Sequence, residues 1–97
     1  NLENKRLLFQ FKKDTVDGIR VDVTGAIYVA RILEGKIDKI SPDGKLIESI
    51  PTLGKEPTNL AFGGPDGKTI FVTMRDTGSI ESFRVPHPGR EWALQQP

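Results

Sequence analysis

Cysteine is absent from this 97-residue chain, and histidine, tryptophan, tyrosine and methionine occur once each. Without a thiol there is no disulfide, no thiolate zinc site and no cysteine nucleophile. Neither a reducing nor an oxidising compartment is excluded by that count. His87, set between Pro86 and Pro88, has no second histidine to join it in a metal site and reads as a loop residue. An excess of one charge is also missing: 14 basic residues face 13 acidic ones, for a formal charge of +1 with no basic stripe. Nucleic acid is therefore not an expected partner. No apolar run approaches the roughly 20 residues that cross a bilayer, and "NLENKRLLFQFKK" lacks a signal-like segment. The expectation is a soluble protein without a membrane partner, cytoplasmic or else periplasmic or secreted. No serine stands in a G-x-S-x-G frame, and the glycines of "AFGGPDG" lack the G-x-G-x-x-G spacing that cradles phosphate. The chain begins without methionine and enters an apolar segment almost at once, as the middle of a longer protein would.

Turn residues are plentiful. Ten glycines and seven prolines cut the sequence into pieces too short for comfortable helices. The pieces prefer period two, as in "RLLFQFK" and "GIRVDV", which marks strands. "AIYVARI" is continuously apolar and β-branched, as a strand covered on both faces would be, whereas "GKIDKIS" is polar enough for a wetter place. "PDG" at Pro42 and again at Pro65 supplies hairpin turns. The tail "HPGREWALQQP" has no period and suits a cap or the start of a further strand, with Trp92 packed on a neighbour.

These pieces repeat. Tyr28 and Phe71, Gly35 and Gly78, Ile37 and Ile80, and Ile40 and Phe83 are each 43 positions apart. A period near 40 to 45 residues holding about four short strands is the signature of a propeller blade. A sandwich or small barrel is the rival, since short strands alone suggest one. The sequence predicts an all-β fold of about two four-stranded antiparallel blades. Residues 6–14 are expected to be the last strand of a preceding blade, residues 15–55 one full blade, and residues 56–97 most of a further blade plus a tail. Two blades cannot close a ring, because propellers take roughly 4 to 8. Missing sequence or other copies of the chain must complete it; three two-blade chains would make six blades.

Asp-Gly occurs three times, at Asp17, Asp43 and Asp66. The last two follow proline and sit between strands. Asp17-Gly18 instead opens the first strand of a repeat, and a shift of 41 residues puts Thr58 and Asn59 in its place. A polar residue that does not repeat, at a position that does, is a candidate for function. With "GKIDKISPDGKLIESIPTLGKEPTNLAFGGPDGKTIFVT", the stretch "DGIRVDVTGAIYVA" resembles the gluconolactonase, regucalcin (SMP-30) and luciferin-regenerating enzyme family over residues 6–86. The resemblance implies the end of blade four, all of blade five and most of blade six of a six-bladed propeller. It further implies one divalent cation in the channel, calcium foremost with zinc or magnesium as alternatives, and a sugar lactone as substrate.

In that family an Asp-Gly pair, usually preceded by proline, carries an aspartate that is both metal ligand and general base. Asp17 matches it, with Val16 in the proline's place. The family's remaining ligands, a glutamate and channel asparagines, lie outside this sequence. Thr58 and Asn59 are placed as channel-lining residues or as a hydrogen-bonded turn, and Arg31 and Arg75 as channel-end residues or rim ion pairs. The reading is a piece of a divalent-metal-dependent lactonase, inactive as this chain alone. The alternative is a non-catalytic module, either a binding scaffold or a self-assembling unit.

Overall fold

Two Pro-Asp-Gly turns behave as their sequences require: Gly44 (φ 89°) and Gly67 (φ 72°) take the left-handed backbone that glycine permits without strain. The computed structural model describes residues 5–97. Strands β1 (Val16–Val21), β2 (Ile27–Arg31), β3 (Lys36–Ile40) and β4 (Leu46–Pro51) form one antiparallel meander in the order β1-β2-β3-β4. Strands β5 (Pro57–Gly63), β6 (Thr69–Met74) and β7 (Ser79–Arg84) form a second, in the order β5-β6-β7. These are two consecutive blades of a β-propeller. A single helical turn, α1 (Arg90–Leu94), follows. Residues 6–14, expected as a strand, carry none and pair with neither sheet.

The blades stack through one face each. Tyr28, Ala30 and Ile37 of the first sheet pack against Leu60, Ile70, Val72 and Met74 of the second, and Phe62 meets the Tyr28 ring edge-on at 5.6 Å between centroids. Burial, followed by the negative charges of Asp22 and Glu48, holds the Tyr28 phenol above its ordinary range. Strand β2 is covered as expected, but β3 is not wet: Ile37, Asp38 and Ile40 are all buried. Asp38 is tolerated there because it is paired with Arg31 across the hairpin.

Repeat partners differ in cover. Tyr28 and Ile37 are 0% exposed, while their counterparts Phe71 and Ile80 are 41% and 69% exposed. The second sheet covers the first pair, and among the described residues no third sheet covers the second.

The linker between blades is clamped by two side chains of the second blade. Glu81 accepts hydrogen bonds from the Leu53 and Gly54 N–H groups at 2.9 and 3.0 Å, and Asp76 accepts from Lys55 and Glu56 at 2.8 and 3.2 Å. The Lys55 bond foremost keeps the Asp76 carboxyl below the usual carboxylate range. At the opposite end of the sheets the tail forms a brace. Val85 N–H donates to Lys68 O, Gly89 N–H to Gly67 O, and Val23 N–H to Pro88 O, so the tail bonds to both blades. Trp92 lies over Gly67, where a Cβ would fall 2.3 Å from the indole ring.

Candidate functional site

Between Val16, which pairs with Arg31, and Ile19, which pairs with Val29, β1 advances three residues while β2 advances two. Asp17-Gly18 is therefore a β-bulge, a device that re-aims a side chain. The second blade repeats it at Thr58, where β5 advances two residues from Pro57 to Asn59 against one on β6. Backbone geometry thus repeats where residue type does not. Gly18, unlike Gly44 and Gly67, does not have positive φ. It is small for another reason: β1 and β5 run side by side, and a Cβ at Gly18 would fall 2.5 Å from Asn59 Oδ1 and 3.0 Å from Thr58 O. Gly18→Ala is expected to cost about 1–3 kcal/mol through this overpacking, measurable as a lower urea midpoint with an unchanged slope.

The bulge seats Gly18, the neighbour of Asp17, against Thr58 and Asn59. Asp17 is exposed and, among the described residues, its carboxylate accepts no hydrogen bond. Thr58 Oγ1 lies 2.9 Å from Thr73 Oγ1, and Asn59 Oδ1 accepts the Leu60 N–H at 2.9 Å. Arg75 belongs to the same end of the blades: its N–H donates to Glu56 O at 2.9 Å and its Nε to the Glu56 carboxylate at 2.8 Å. Glu56 chiefly, with smaller contributions from Asp17 and Asp76, holds the Arg75 guanidinium above its ordinary pKa.

Arg31 is elsewhere, which corrects its pairing with Arg75. Its buried guanidinium donates to Asp38 at 2.8 Å and to Thr15 Oγ1 at 2.8 Å, and stacks on Phe11 at 4.2 Å from the ring centroid. Ser49 completes the shell by donating to Asp38 at 2.6 Å. Arg31 ends β2, whereas Arg75 lies one residue beyond the end of β6. In a strand that single step reverses the face.

Sequence reading passed over Asp22, which is fully buried. One of its oxygens accepts hydrogen bonds from Thr24 N–H at 2.8 Å, Thr24 Oγ1 at 2.6 Å and Ala26 N–H at 3.1 Å. The signal was present in "DVTG", an Asx-turn sequence whose aspartate caps its own loop. This role is structural.

As a cation site the junction fits in kind. The Asp17 carboxylate, Asn59 Oδ1 and the Thr58 carbonyl are hard oxygen donors of the type that calcium and magnesium take. Among the described residues no three His, Cys, Asp or Glu side chains gather as a metal cluster. Calcium takes 6 to 8 oxygens, more than these three residues offer.

Known proteins share this fold. Residues 1–76 match the SMP-30/Gluconolactonase/LRE-like region. Regucalcin of Xenopus laevis is 31% identical over 88 residues, which cover 88% of this chain and 29% of that protein. The 6-deoxy-6-sulfogluconolactonase of Pseudomonas putida is 32% identical, covering 81% of this chain and 28% of that protein. The crystal structure of a calcium-binding protein, regucalcin, from Agrobacterium tumefaciens superposes with a TM-score of 0.76 at 28% identity, over 88% of this chain and 34% of that one. The chain spans about a third or less of the length of these relatives. On the family match and the paired blades together, the chain belongs to the SMP-30/gluconolactonase/LRE-like family.

Proposed function

We propose that this chain forms one third of the wall of a divalent-metal-dependent hydrolase that opens a sugar lactone, with Asp17 as ligand and general base. The observation that carries the reading is the bulge at Asp17-Gly18. It leaves the Asp17 carboxylate exposed on β1, next to Gly18, which packs against Thr58 and Asn59 of the second blade. Calcium suits the all-oxygen donor set best. When bound, the cation supplies Lewis acidity toward the lactone carbonyl and toward water.

The residues of the chain then divide the work. Asp17 accepts a proton from the water whose oxygen attacks the carbonyl carbon, and returns it to the ring oxygen as the carbon–oxygen bond breaks. Arg75, fixed through Nε by Glu56, keeps its terminal nitrogens for the carboxylate that ring opening creates. Thr58 and Asn59 are tied into β5 and β6 and hold the rim of the site.

The test is lactone opening by the closed ring, followed as proton release. Where the chain does not close alone, residues 6–86 are grafted in place of the matching third of a full-length relative. A chelator is expected to abolish the reaction and calcium to restore it. A rate indifferent to both would overturn the metal-dependent reading.

A further inference from the structure

We propose that Asp76 is a positioning residue for the candidate site: its carboxylate anchors Glu56, and Glu56 in turn aims the Arg75 guanidinium. The inference rests on the reading of Arg75 as the group that receives the carboxylate created by ring opening. The N–H, the carbonyl and the carboxylate of Glu56 are each held by one of the two residues that follow β6. The N–H donates to Asp76 Oδ1 at 3.2 Å, the carbonyl accepts the Arg75 N–H at 2.9 Å, and the carboxylate accepts Arg75 Nε at 2.8 Å. The other Asp76 oxygen takes the Lys55 N–H at 2.8 Å, so one carboxylate engages two successive amides. Hydrogen bonds to an ionised acceptor are the stronger kind. An exposed ion pair by itself does little to fix a long side chain, and the Arg75 side chain is 63% exposed. The pair gains direction because Asp76 keeps Glu56 from retreating.

The clamp is not a requirement of the repeat. Leu33 stands 43 residues before Asp76, at the equivalent place in the β2–β3 turn, and its side chain offers no acceptor. The segment that enters β1 is held differently: Thr15 Oγ1 accepts from Arg31, and Lys13 pairs with Glu34 at 3.4 Å. A carboxylate at a repeating position that only one blade uses marks a local task. Its surroundings say which task. Glu56 directly precedes Pro57, the first residue of β5, and the bulge at Thr58 follows. Gly54 packs onto the same carboxylate, since a Cβ there would fall 2.9 Å from Asp76 Oδ1. The linker is tied to the first blade as well, through Thr52 N–H donating to Gly35 O at 2.9 Å. Asp76 thus joins the linker between the blades to the arginine beside it.

The test uses the closed ring carrying residues 6–86 and reads Arg75 in two ways. With isotope-labelled arginine, exchange of the Arg75 Nε–H is expected to quicken by about tenfold or more in Asp76→Ala, with circular dichroism unchanged. In kinetics, Asp76→Ala is expected to lower kcat/KM by roughly tenfold, short of the 10²-fold that a misplacement of about 1 Å can cost. Made in an Arg75→Met background, the same change should alter the rate by less than about twofold, because residues that act through one another are not additive. Calcium dependence should match wild type, since Asp76 lies outside the donor set. Asp76→Asn, which keeps the volume and one acceptor oxygen, is the second variant and should fall between. An Arg75 Nε–H as protected in Asp76→Ala as in wild type would overturn the proposal. Equal losses of kcat/KM with and without Arg75 would overturn it too, by showing a general structural effect. Failure of the underlying lactonase reading looks different: the wild-type ring opens no lactone, or Asp17→Ala keeps its full rate. The exchange of the Arg75 Nε–H then decides the anchoring alone, upholding it by responding to Asp76 and overturning it by not responding.

Discussion

Asp38→Ala is expected to lower the unfolding free energy by about 3–5 kcal/mol, the range for leaving a buried charge without its partner. Arg31 and Asp38 keep side-chain exposures of only 6% and 2%. With the carboxylate gone, Thr15 Oγ1 and the Phe11 ring face a guanidinium that they cannot neutralise. The reverse change is milder. Arg31→Met leaves Asp38 with the Ser49 hydroxyl and with Lys36, whose ammonium is already 3.7 Å away and more exposed, free to swing inward. Arg31→Met/Asp38→Leu, which removes both charges, should recover most of the loss, because an apolar pair of similar volume carries no desolvation cost. Denaturant titration of the three variants checks the order. Equal losses for Asp38→Ala and the double variant would show that packing, and not charge, sets the cost.

Asp17→Ala is expected to slow lactone opening by roughly 10²- to 10⁴-fold, the contribution of a positioned general base. Stability should barely move, because Asp17 is exposed and Arg75 already has Glu56 as its ion-pair partner. Asp17→Asn separates the two roles. The amide keeps an oxygen that can face a cation but cannot take a proton at neutral pH. Cation affinity should then fall less than in the alanine variant, while the rate falls as far. Full activity in the alanine variant would remove Asp17 from the mechanism.

Backbone repetition was legible from the sequence because glycine spacing and strand period report on it directly. The four pairs set 43 residues apart all fall in equivalent strands or turns, and the separation of Asp17-Gly18 from the two hairpin Asp-Gly pairs holds at the level of φ. Three kinds of information were not legible. The first is which repeat positions are covered: Tyr28 and Phe71 look alike in sequence, but cover comes from the neighbouring sheet and not from the strand itself. The second is side-chain pairing across a hairpin. Asp38 makes "GKIDKIS" look wet, and only the β2–β3 register, which sets Ala30 opposite Ile37, brings Arg31 to it. The two arginines follow similar apolar runs at nearly equivalent positions. An offset of 44 in place of 43 is invisible to composition, yet it separates a buried ion pair from an exposed one. At the junction itself, the bulge could not be read from residue types, since Asp-Gly in one blade and Thr-Asn in the other encode the same geometry.

The brace formed by the tail has a practical side. Trp92, the sole tryptophan, rests on the second blade while the residues just before it bond to Val23 of the first. Its emission should therefore change when the two blades part, before either sheet melts. Each molecule thus carries a built-in optical gauge of blade docking, distinct from the backbone circular dichroism that follows the strands. Comparing the two signals in one titration would show whether the pair of blades unfolds as a unit or comes apart first at the seam.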